Sequence, residues 1–121
     1  MNLLNRLFLI SLFVALTGIT AEAKRIAPKP VAPVQHEGIE FRAPLGVDKM
    51  GIVQAFDIKT QKIIWQAKLY TIEFDPNLER DVQWVFISDL KIEAGLLKVT
   101  NERGQLFTLD PATGKLLRKS D

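Results

Sequence analysis

The sequence contains no cysteine. That excludes disulfides, thiol nucleophiles, thiolate metal ligands and acylation of a lipoprotein cysteine. There is one histidine, His36, and it stands beside Glu37 in a proline-rich stretch. A general base needs a fixed position near its substrate. No Ser-His-Asp set can therefore be built on the body of the chain, and no catalytic, metal or cofactor residue is expected. Excess charge is also lacking where a nucleic-acid face would need it. Of the 16 basic and 14 acidic residues, four basic and two acidic lie before Gly38, so the remainder is balanced. No nucleic-acid partner is expected. Nor does any apolar run reach the ~20 residues that span a bilayer.

The apolar run that is present, Leu7 to Thr20, follows Arg6 and precedes the small residues Ala21 and Ala23. This is the layout of a secretory signal peptide over residues 1–23, cleaved after Ala23. It implies a periplasmic or secreted protein with no stable membrane anchor after cleavage. Residues 24–37 hold Pro28, Pro30 and Pro33 with Lys24, Arg25 and Lys29. Proline fixes φ and removes an amide donor, so this reads as a basic linker without a sheet ladder of its own.

From Gly38 to Asp121 the texture is that of an all-β domain. Apolar, β-branched and aromatic residues alternate over short segments separated by Gly, Asn, Asp and Pro, as in antiparallel hairpins. The stretch "DPNLERDVQWVF" is the exception, because Asp75 and Pro76 can open a helix. One short helical turn is expected near 76–80, with a strand from about Val82.

The segment "GIVQAFDIKTQKIIW" (51–65) aligns without gaps with "GQLFTLDPATGKLLR" (104–118), a constant offset of 53 residues. A fixed period marks a repeated supersecondary unit. The two units are expected around 39–74 and 82–121. Gly51 and Gly104 would close turns at positive φ. Asp57 and Asp110 would accept hydrogen bonds from turn amides, with Thr60 and Thr113 adding a hydroxyl. Gly114 would take the left-handed position before the next strand, where the first copy has Gln61.

These residues resemble the quinoprotein-type (PQQ-like) β-propeller repeat. Asp57, Thr60, Lys62 and Trp65 match its pattern in the first copy. Asp110, Thr113, Gly114 and Lys115 match in the second, where Arg118 replaces the Trp. The resemblance implies four-stranded antiparallel blades, with the repeated hairpin on the inner part of each and the Trp packing between blades. A propeller has about 4–8 blades, and two units are present here. They would form a small sandwich, one continuous curved sheet, or part of an assembly of several chains. No quinone-binding residue carries over.

The large aromatics on predicted strands are first needed for a core in a chain this short. Tyr70 and Trp84 are the candidates for an exposed binding surface, because their register is ambiguous. Glu73, Asp75, Glu79 and Asp81 lack the Gly bend of a calcium loop and read as a solvated turn. The function expected is an exported, non-enzymatic β-domain that binds a protein partner or self-associates through a sheet edge or exposed aromatic strand. The alternative is a carbohydrate-binding or enzyme-accessory module built on exposed aromatics.

Overall fold

A computed structural model describes residues 28–121. The expected signal peptide, and Lys24 and Arg25 of the linker, lie outside them. The described chain is all-β. It forms two four-stranded antiparallel meanders, each in sequence order. The first sheet holds β1 (Val34–His36), β2 (Ile39–Arg42), β3 (Ile52–Asp57) and β4 (Ile63–Lys68). The second holds β5 (Ile87–Glu93), β6 (Leu96–Asn101), β7 (Leu106–Leu109) and β8 (Leu116–Ser120). The sheets pack face to face over one core of Phe41, Val53 and Ala55 against Ile87, Leu90, Leu97, Val99, Phe107 and Leu109. Two separate sheets replace the continuous curved sheet that the sequence left open.

Three boundaries differ from expectation. The linker ends earlier, because Val34–His36 pairs with Ile39–Phe41. Val34 is drawn into the sheet by packing against the core cluster. The turn that makes this possible is Glu37-Gly38, with φ of 49° and 81°. Ala94-Gly95 makes the matching β5–β6 turn, with φ of 52° and 75°. Positive φ at both central residues is the hairpin geometry that fits the strand twist.

The second difference is in the connection between the sheets. Leu78 N donates to Asp75 O at 3.2 Å and Asn77 N to the Asp75 carboxylate at 2.9 Å, which makes a turn rather than a helix. The helical turn is a 3-10 one at Asp81–Gln83. Third, strand pairing starts at Ile87, not Val82. Val85, Phe86 and Ile87 are buried in succession, so period two is broken there. The Gln83 side chain ties the connection instead: its amide nitrogen donates to Asp75 O and Glu79 O, and its oxygen accepts from Asp75 N at 2.7 Å.

The repeated hairpins are β3–β4 and β7–β8, the last two strands of each sheet. The resemblance placed them on the inner part of a blade. Here β1 lies beside β5, and the repeated hairpins occupy the opposite side of each sheet.

Candidate functional site

The two repeated turns share one hydrogen-bond plan. Asp57 Oδ1 accepts from Lys59 N at 2.8 Å and Thr60 N at 3.0 Å. Asp110 Oδ1 accepts from Ala112 N at 2.8 Å. Thr60 Oγ1 receives Lys62 N at 3.3 Å, and Thr113 Oγ1 receives Lys115 N at 3.2 Å. Gln61 N and Gly114 N donate to Asp57 O and Asp110 O at 2.7 and 2.8 Å. Gln61 sits at φ 61°, close to the 79° of Gly114. The glutamine therefore accepts left-handed strain of roughly 1 kcal/mol. Its side chain bridges Arg42 Nη2 and Ile58 O.

What separates the copies is what lies on the turn. Trp65, on β4, reaches across to the β7–β8 turn and donates from Nε1 to Pro111 O at 2.9 Å. Its ring lies on Gly114, where a Cβ would come within 2.6 Å of the ring carbons. Gly114 is thus required twice, by its φ and by the indole above it. The reverse contact has no means of forming. The second copy carries Arg118 where the first has Trp65, and the first carries Gln61 where the second has Gly114. One indole, docked in one direction, joins the two sheets.

The faces follow the same logic. Side chains alternate across a strand. Val53 and Ala55 of β3 face the second sheet, whereas Phe107 and Leu109 of β7 face the first. At the repeat offset Ala55 matches Thr108 and Phe56 matches Leu109, so the units use opposite faces. Each leftover face is polar. On the first sheet Arg42 lies over the Phe56 ring at 4.0 Å and pairs with Glu40, Gln35 donates to Glu40, and Gln54 donates to Gln66 at 2.8 Å. The hydrogen bond from Arg42, then that from Gln35, holds the Glu40 carboxyl below its usual range.

On the second sheet one cross-strand row reads Lys91, Lys98, Thr108, Arg118. Its counterpart in the first sheet reads Val34, Phe41, Ala55, Trp65. The row that builds the interface in one unit is cationic in the other. Polar outer faces are how stacked arrays end.

The edges remain. β4 and β8 are the last strands of their sheets. Each opens on an aliphatic pair at matched repeat positions. Ile63 and Ile64 are 52% and 46% exposed, and Leu116 and Leu117 are 42% and 50% exposed. A bulge falls at the same repeat position in both, opposite Ala55/Phe56 and Thr108/Leu109. Large aliphatics exposed on unpaired edge strands are unusual in a protein that manages its edges.

The aromatics proposed for binding stand as follows. The Tyr70 ring stacks on Phe107 at 5.6 Å, and its hydroxyl donates to Val85 O at 2.7 Å. Tyr70 is thereby committed to the joint between β4 and the connection. Trp84 is half-buried and meets Phe86 edge-on at 5.9 Å.

Burial, with Glu102 nearby, pushes the Tyr70 hydroxyl up to about 12 from 10.0. A raised folded-state value favours the neutral form. The stability it contributes is complete below about pH 10 and is lost as pH rises through about 12. Tyr70 is the only tyrosine, so tyrosinate absorbance reads it directly. The expected result is a midpoint near 12 in the folded chain, and a smaller alkaline loss of stability in Tyr70→Phe.

Sequence reasoning missed the residues that tie the loops. Asn101 is buried and accepts from Arg103 N and Gln105 N, closing the β6–β7 turn that Gly104 completes. Glu102 accepts from Phe86 N at 3.0 Å. An Asn before a Gly-containing turn was the available signal for the first. Among the described residues no group of three or more His, Asp or Glu is placed to hold a metal ion. The depression lined by Val47, Asp48, Met50, Lys68, Thr71, Ile72 and Phe74 holds about 150 Å³, below the ~300 Å³ at which ligand pockets begin. No protein-family model matches the chain, and no curated protein is significantly similar to it.

Proposed function

We propose that the chain is an exported, non-enzymatic β-domain that binds another protein by strand addition at the β4 and β8 edges. The carrying observation is the pair of matched edges, each with exposed aliphatics, on a body whose two outer faces are polar. An edge strand offers unpaired amides and carbonyls in a row, and an extended segment of a partner satisfies them. The polar faces argue against a further sheet stacking on either side. The PQQ-like resemblance is compatible with this reading as an ancestry of the two units, without a cofactor.

Lysines mark the surfaces separately. Lys62, Lys68, Lys115 and Lys119 belong to the two edges, while Lys91 and Lys98 belong to the outer face of the second sheet. Lysine crosslinking of residues 24–121 to proteins of the native envelope or medium, mapped by mass spectrometry, tests the proposal. Crosslinks to a partner through the edge lysines are expected. Crosslinks concentrated on Lys91 and Lys98, or a monomer that captures nothing, overturn it.

A further inference from the structure

Resting on that reading, we infer that the β8 edge takes an acidic extended segment of a different protein, not the β8 edge of a second copy. All five residues of β8 are exposed. Lys115, Arg118 and Lys119 lie on or beside it, and residues 115–120 contain no acid. Arg118 pairs with Thr108, so it lies on the outer face in the same row as Lys98 and Lys91. Lys119 pairs with Phe107, on the opposite face, with its Nζ 5.7 Å from that ring. Cations thus flank the edge on both faces. Four acids stand near the row: Asp110 is two residues beyond Thr108, Asp121 follows β8 and accepts from Gln105 at 3.1 Å, Glu93 lies 3.5 Å from Lys91, and Asp89 is two residues along β5. Glu93 and Asp89 belong to β5, at the far edge of the sheet, and the Asp110 carboxylate is held by the amide of Ala112 in its own turn, so the charged residues of the strand from Leu116 to Ser120 are cations alone.

Pairing of β8 with itself is antiparallel under two-fold symmetry. Centred on Arg118, it sets Arg118 against its own copy. Centred on Leu117, it sets Lys115 against Lys119. Like charges directly opposite destabilise a strand pair. Centred on Lys119, the pairing sets Lys119 against its own copy, and registers centred between two residues would oppose side chains of opposite faces. An acidic strand turns each of these repulsions into attraction, and Leu116 and Leu117 supply apolar contact beside them. β4 shows the contrast. It has Lys62 beside it, at the repeat position of Lys115, and Lys68 at its end, but Trp65 and Gln66 where β8 has Arg118 and Lys119, so it carries fewer cations within the strand.

The probes are two labelled octapeptides of alternating threonine and valine, one with two central glutamates and its twin with two central lysines. Fluorescence anisotropy at low salt is expected to show the glutamate peptide binding at least about fivefold more tightly, the product of two cross-strand charge pairs. The gap should shrink as salt rises to about 0.5 M, where screening is strong. The variant carrying Arg118→Glu and Lys119→Glu should invert the preference, and Arg118→Lys should keep it. Each variant's melting curve checks that it is folded. Equal binding of the two peptides overturns the acidic preference while leaving the edge reading intact. Binding of neither peptide, or dimerisation that the double glutamate variant abolishes, also overturns the inference, and the crosslinking map then decides the edge reading by itself.

Discussion

Trp65→Ala is expected to remove about 3–5 kcal/mol of stability, the range for deleting a large aromatic from a packed site. For a domain of this size that is a fall in melting temperature of roughly 15–30 °C. Several contacts go together. The indole lies on Gly114, donates to Pro111 O, and meets Phe41 at 5.9 Å between ring centroids. Trp65 is therefore the point at which β4 of one sheet is fastened to a turn of the other. Total stability of a single domain is about 5–15 kcal/mol, and no disulfide adds to it here. Trp84 survives in the variant and reports unfolding by fluorescence. A drop below about 1 kcal/mol would mean that the sheets are held by the rest of the core, without the dock.

Gly51→Ala is expected to cost about 3 kcal/mol or more, and Gly104→Ala only about 1 kcal/mol, the penalty of left-handed backbone with a Cβ. The two glycines hold the same place in the repeat, and their φ angles are 77° and 79°. Their surroundings differ. A Cβ on Gly51 would come within 2.5 Å of Tyr70 O and 3.3 Å of the Tyr70 ring, whereas a Cβ on Gly104 meets nothing within 4 Å. Tyr70 O is backbone, and it is held close because Leu69 N donates to Gly51 O at 2.7 Å. The collision can be relieved only by moving the end of β4, which also carries Tyr70 away from Phe107 and Val85. Urea midpoints of the two single variants check this. Equal losses at both positions would show that φ alone sets the cost.

These two positions show what was legible in the sequence. Period two and the turn residues Asp57, Thr60, Asp110, Thr113 and Gly114 revealed hairpins, because their chemistry is local and each acts within a few residues. The first hairpin of the first unit escaped notice, because β1 lay in the stretch read as a linker, and its likeness to the first hairpin of the second unit was hidden. The turns of these two hairpins, Glu37-Gly38 and Ala94-Gly95, lack the Asn or Asp that signals such a turn, and the loops that follow them differ in length, so the two copies fall at another offset. Val82, Trp84 and Phe86 mimicked a strand, although the chain there is crossing between sheets and buries neighbours in succession. The repeat showed both Trp65 and Gly114. It did not show that one sits on the other, because that is a long-range fact. Once the contact is known, Arg118 at the repeat position of Trp65 and Gln61 at that of Gly114 explain why it runs in one direction only. That the sheets leave open edges was expected from the meander, but which strands form them followed only from the strand order, which no local signal carries.

The one-way dock of Trp65 on Gly114 is the central claim about how the two sheets are joined. A thermodynamic cycle between Gly114→Ala and Trp65→Val tests it, since valine keeps the strand while removing the ring that a Cβ at 114 would strike. With Trp65 present, Gly114→Ala is expected to cost about 3 kcal/mol, from the left-handed strain and the displaced indole together. In the Trp65→Val background the cost should fall to about 1 kcal/mol, the strain alone. The same cost in both backgrounds would contradict the dock.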